Sequence, residues 1–185
     1  LLDGMDALCV HPYTNNSTPL RSASPAKFRI HEEIGKLNDV VDGLGGMKWL
    51  WSTEFGWPNG DAQGEVVRAE LYPRHMLVGA GAGLDLHGLY TWQRDYGITG
   101  RPAEISVHHL LRFLEGHRFV GWLRQDDTAW AGVWERSGAP RLVAWSPDGA
   151  GRAQIAVKAG ATLQDLFGNT IQRFDEAQTA ELSPG

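Results

Sequence analysis

Residues 48–58 read KWLWSTEFGWP, a short apolar and β-branched run entered from Gly45-Gly46 and left through Gly56 and Pro58. A run this short, with chain breakers on both sides, reads as a buried strand of a parallel sheet over residues 48–53. Glu54 stands where that strand should end. A carboxylate among Trp49, Trp51, Phe55 and Trp57 is costly to desolvate without partners, and aromatic faces beside a carboxylate are what a sugar ring needs. The stretch points to a carbohydrate site. The competing reading is a core strand whose Glu54 pairs with a nearby Arg or His.

Upstream, residues 6–10 (DALCV) form a second apolar run that ends in His11-Pro12-Tyr13, and a polar, turn-prone loop follows over 14–24. From Pro25 the pattern becomes helical: Ile30, Ile34, Leu37 and Val41 recur on one side, with Glu32, Glu33, Lys36 and Asp39 on the other. Ser24 before Pro25 reads as a cap with proline at the first helical position, and Gly43 as the stop. Downstream of Pro58, Asn59-Gly60-Asp61 is a turn, and residues 62–83 predict a second helix with Val66, Val67, Leu71, Leu77 and Val78 toward the core. Pro73 inside that helix predicts a kink. The run Gly79-Ala80-Gly81-Ala82-Gly83 ends a helix rather than opening one, so it reads as close helix packing and not as a phosphate loop.

Residues 84–92 (LDLHGLYTW) predict a third strand, and residues 103–114 a third helix. Strand and helix thus alternate three times, with strand ends at His11, Glu54 and Trp92 spaced by roughly 40 positions. A unit of a (β/α)8 barrel averages roughly 31 residues, and longer rim loops raise the figure. Polar and aromatic residues at successive strand ends favour such a rim over an open doubly wound sheet. From Phe119 onward the pattern changes to short strands over 119–123, 129–135, 141–145 and 153–157, with 163–171 and 179–182 adding more. Turns such as Ser137-Gly138-Ala139-Pro140 and Ser146-Pro147-Asp148-Gly149 separate them, which predicts a small antiparallel β-sandwich packed against the first domain. The expected domains are therefore 1–118, a partial barrel, and 119–185, the sandwich.

The chain has 185 residues, of which 42% are hydrophobic and 21% charged, a composition that fits a globular fold. Its net charge of -5 offers no basic surface for nucleic acid, and no Lys/Arg run suits an anionic membrane. No apolar segment approaches the ~20 residues of a membrane span, and the first residues lack the features of a signal peptide. The chain opens Leu1-Leu2-Asp3 without Met, so its natural start is expected upstream. Cys9 is the single cysteine, which excludes an internal disulfide and reads as a buried apolar thiol. No GxSxG elbow marks a serine hydrolase, and His108-His109 on a helix point to different faces, so no metal site is expected.

The order HPY at 11–13, WSTEFGW at 51–57, YTW at 90–92, RPAEIS at 101–106 and DLFGN at 165–169 resembles the C-terminal half of clan A glycoside hydrolases. Family 39 is the best likeness, with family 5 next, and TEFGW at a strand end is its most specific part. The resemblance implies an α/β plus all-β chain: the last three βα units of a (β/α)8 TIM barrel, strands six to eight, then the small β-sandwich. It implies a retaining hydrolase of O-glycosidic bonds that needs no cofactor, with carbohydrate as substrate and an extracellular location. Glu54 would be the nucleophile that forms the glycosyl-enzyme intermediate. Tyr13 would hydrogen-bond Glu54, His11 would bind substrate or support the carboxylate, Trp92 would floor the cleavage subsite, and Trp57 would wall a neighbouring one. The family's proton donor, a Glu after Asn on a fourth strand, has no counterpart here. Glu32, Glu33, Glu65, Glu70, Glu104, Glu115, Glu135, Glu176 and Glu181 fall on helices, in the β-domain or near the end. The chain alone should therefore not turn over, and its expected partner is the upstream half of the barrel, from the same parent chain or another. A non-catalytic carbohydrate-binding or scaffold module is the alternative.

Overall fold

The computed structural model describes residues 4–14, 29–46, 49–147 and 153–182. They divide into two compact units, Leu1–Val107 and His108–Gly185, and the divide falls inside the third helix, ahead of the change of pattern at 119.

In the first unit strand and helix alternate: β1 (Ala7–Val10), α1 (Ile30–Gly43), β2 (Trp49–Phe55), α2 (Ala62–Gly81), β3 (Leu86–Leu89) and α3 (Pro102–Phe113). The three strands form one parallel sheet in the order β1-β2-β3, with the tryptophan-rich strand in the middle. The expected loop to residue 24 and the Ser24-Pro25 helix start lie outside the described residues. α1 buries Ile30, Ile34 and Val41, as its period predicts. α2 starts at Asp61, whose carboxylate accepts from the Gly64 N–H at 2.8 Å and so satisfies one of the orphan donors of the first turn. The helix runs through Pro73 to Gly81. Leu71, Leu77 and Val78 are buried as expected, whereas Val66 faces out. The core joins Phe55, Trp57, Leu71, Tyr72, Ile98, Ala103 and Val107.

The sheet has one buried face, carrying Leu50, Ser52 and Phe55, and one open face. Cys9, Trp51 and Leu86 stand in register across the open face. Cys9 is exposed there, not a buried thiol as its apolar neighbours suggested, because it lies on the face that the helices leave uncovered.

The second unit is antiparallel. β4 (Arg118–Gln125), β5 (Trp130–Arg136) and β6 (Ala139–Trp145) form a meander, β7 (Ala153–Val157) pairs with β10 (Gln178–Leu182), and β8 (Thr162–Gln164) pairs with β9 (Thr170–Arg173). Ser137 and Gly138 both take positive φ, which the tight turn between β5 and β6 demands. Pro140 belongs to the strand that follows. Residues 163–171 are not one strand, because Asp165 folds them into a turn by accepting from the N–H groups of Phe167 and Asn169 and from Asn169 Nδ2. Trp122, Trp130, Trp134 and Trp145 cluster on the meander. Gly132 makes room for them, since a Cβ there would lie 2.7 Å from the Trp134 ring.

Candidate functional site

Parallel strands deliver their C-terminal ends to one edge of a sheet. Here those ends bring together His11 and Tyr13 after β1, Glu54 near the end of β2, and the segment from Tyr90 to Tyr96 after β3. A β-bulge decides which way Glu54 points. The register runs Ser52 opposite His87 and then Phe55 opposite Leu89, so Thr53 and Glu54 together oppose Gly88. Strict alternation would place Glu54 on the buried face with Leu50 and Ser52. The extra residue passes that place to Phe55, which stacks on His75 of α2 at 4.1 Å, and turns Glu54 outward. Gly88 permits the bulge, because a Cβ there would come within 2.8 Å of the Thr53 carbonyl oxygen.

The Glu54 side chain is 31% exposed, and its Oε2 takes two contacts. Tyr13 Oη donates to it at 3.0 Å, and His11 Nδ1 lies 3.2 Å away. Among the described residues no contact of Oε1 is seen. His11 reaches Thr53 Oγ1 through its other nitrogen, at 3.1 Å. Burial, and then the hydrogen bond to Glu54 and its charge, push the Tyr13 phenol well above its ordinary range. Tyr13 is thus held as a neutral donor. Tyr90 and Tyr96 meet edge to face at 5.4 Å, and both bear on Tyr13 electrostatically.

The loops after β2 and β3 form an open cleft of about 370 Å³ lined by Asn59, Trp92, Arg94, Asp95 and Arg101 among others. β3 ends at Leu89, so Trp92 lies beyond the strand expected to carry it and belongs to the rim loop. Its carbonyl is fixed by Thr99, through the N–H at 3.0 Å and the hydroxyl at 2.6 Å, and the residue is 47% exposed. Trp57, expected as a subsite wall, presents no face to a ligand: it is 1% exposed and packs edge-on against Phe55, Tyr72 and His75. The phase change at the bulge carries the chain after Phe55 into the core.

The rim loops rest on a post that the sequence did not disclose. Arg68 of α2, fully buried, donates to both oxygens of Glu65, to Asn59 Oδ1, and to the carbonyls of Tyr96 and Gly97. Burial opposes the charge of Glu65, but the Gly60 N–H and the guanidinium groups of Arg68 and Arg101 outweigh it and hold that carboxyl below its ordinary range. Arg94 adopts a positive φ, and Asn59 pins its carbonyl at 3.0 Å. Among the described residues no group of three or more metal-ligating side chains forms, and no helix is long and apolar enough to cross a membrane.

No family model matches the sequence, and no curated protein does. Among solved structures the chain is similar to a family 39 glycoside hydrolase from the gut symbiont Bacteroides cellulosilyticus WH2, with a TM-score of 0.68 and 16% identity. The likeness is one of fold. It covers 96% of this chain and 42% of that one, so the chain spans well under half of that relative's length.

Proposed function

We propose that this chain is the C-terminal part of a retaining glycoside hydrolase of clan A, related to family 39, with Glu54 as the nucleophile. The observation that carries the reading is the carboxylate itself: a bulge turns it out at the end of the central parallel strand, where the Tyr13 hydroxyl and the His11 ring meet one of its oxygens. The fold likeness to a family 39 enzyme supports the same reading. In it β1, β2 and β3 are barrel strands six, seven and eight, and the second unit is the accompanying β-sandwich. Parallel sheets are ordinarily covered on both faces, so the open face with Cys9, Trp51 and Leu86 is the lining of a barrel whose other strands come from outside the described residues.

In this mechanism Glu54 attacks the anomeric carbon as the bond to the leaving oxygen breaks, and water later releases the sugar. Tyr13 and His11 hold Oε2, which leaves Oε1 for the attack. Trp92 offers its exposed indole to the sugar face. Glu32, Glu33, Glu65, Glu70 and Glu104 lie on helices, Glu115 follows α3, Glu135 and Glu181 lie on strands of the second unit, and Glu176 lies between β9 and β10. None of them ends a parallel strand, so the proton donor belongs to the missing strands.

The test is a panel of 2-deoxy-2-fluoro glycosides with dinitrophenolate as leaving group, which departs without a proton. Applied to this chain and to the longer protein that the reading requires, a reactive sugar should add its mass to the peptide bearing Glu54, and Glu54→Gln should abolish the adduct. Labelling at another residue, or no labelling by any sugar, overturns the assignment. Retained sugar binding without labelling would favour the non-catalytic module.

A further inference from the structure

The hydrogen-bonded chain at the rim does not stop at Glu54. His11 stands between two residues of the bulge, with Nδ1 3.2 Å from Glu54 Oε2 and Nε2 3.1 Å from Thr53 Oγ1. A nitrogen facing an ionised carboxylate at that distance carries a proton, because a lone pair there would meet a second lone pair. In the neutral ring Nε2 is then the acceptor, and Thr53 O–H donates to it. In the charged ring Nε2 carries a hydrogen, and the same Thr53 oxygen accepts it. A hydroxyl serves both states by rotating about its C–O bond; a carbonyl serves only the second and a methyl neither.

We propose that Thr53 is a positioning residue: bonded to Nε2, it anchors the His11 ring at the angle that aims Nδ1–H at Glu54 Oε2. The bulge makes this possible, since Thr53 and Glu54 both oppose Gly88 and one ring reaches both. The other titratable groups around the ring are Tyr13, edge-on to it at 6.5 Å, and Tyr90 and Tyr96 from the segment after β3, which act on Tyr13. In its functional consequence the inference rests on Glu54 as nucleophile: the anchored ring keeps a second donor on its Oε2.

The experiment is long-range proton–nitrogen NMR of the histidine rings in the ¹⁵N-labelled chain, with His11 assigned by its loss in His11→Gln. In the neutral ring, Nδ1 of His11 should resonate as a protonated nitrogen and Nε2 as an unprotonated one. Thr53→Val should free the ring to turn, mixing the tautomers and drawing the two shifts together, and Thr53→Ser should restore them. An Nε2–H tautomer in the unaltered chain overturns the proposal, as does a Thr53→Val spectrum identical to it. Should Thr53→Val fail to fold, the unaltered chain and Thr53→Ser still decide. Loss of fluoroglycoside labelling with the tautomer intact would strike the hydrolase reading alone, and the reverse result would strike this one alone.

Discussion

Tyr13 gives its phenolic hydrogen to the same Glu54 oxygen that faces His11 Nδ1. Two residues from the end of one strand thus hold an acid on the next, 41 positions away for Tyr13. Because burial and the neighbouring carboxylate keep the Tyr13 phenol protonated, Glu54→Gln should lower its titration midpoint toward the ordinary value of 10.0. The folded value lies above the unfolded one, so the contribution of Tyr13 to stability is whole below pH 10.0 and fades as pH climbs beyond it. Phenolate absorbance checks the midpoint, and an unchanged midpoint would refute the coupling.

Acid should weaken the first unit through two histidines. His75 is fully buried and the ring nitrogens of His87 are shielded from water; burial lowers the pKa of both, to about 4 for His87, and neither ring nitrogen of either has a hydrogen-bond partner among the described residues. Both are neutral when folded and bind protons more readily when unfolded. Stability from this source is therefore full above the ordinary value of 6.5 and drains away as pH falls toward 4, by on the order of 3 kcal/mol for His87 alone. Urea unfolding across that window should steepen accordingly, and His87→Leu should flatten it.

Arg68→Met should cost about 3–5 kcal/mol, because Glu65 is left buried with half its partners gone. Arg68→Lys should recover little, since an ammonium lacks the fork that reaches Asn59, Glu65 and two carbonyls together. Denaturant midpoints measure both, and a cost under about 1 kcal/mol for Met would contradict the post described for these loops.

The two tryptophans near the rim should part company. Trp57→Ala should lower stability by about 3–5 kcal/mol through the cavity it leaves in the core. Trp92→Ala, at an exposed position, should change stability by about 0.5 kcal/mol or less while weakening sugar binding. Thermal melts and sugar titrations read the two effects separately.

Gly88→Ala should displace the Thr53 carbonyl, costing about 1–3 kcal/mol. The Tyr13 midpoint should fall with it, as Glu54 withdraws. A melt unchanged from that of the parent chain would mean the strands have room to spare.

The alternation of strand and helix was legible because each element has one apolar period, and Ile30, Ile34 and Val41 are buried where that period puts them. Glu54, His11 and Tyr13 were legible as strand-end residues and do meet. Trp57 and Cys9 were not legible, since their burial depends on the bulge and on a face left uncovered, and neither leaves a mark in residue type. Arg68 escaped notice because a charged residue on a helix ordinarily points to water, and only the fold brings Asn59, Tyr96 and Gly97 around it. Asp165 broke one apparent strand in two through a side-chain turn that a hydrophobic pattern does not register.

The extra residue at Thr53 and Glu54 has a genetic corollary. Loss of the Glu54 codon would restore an unbroken pleat, with Thr53 alone opposite Gly88 and Phe55 still on the buried face, so an in-frame loss of three nucleotides would erase the acid from the rim while sparing the helices. Loss of the Thr53 codon would restore the same pleat and leave Glu54 facing out.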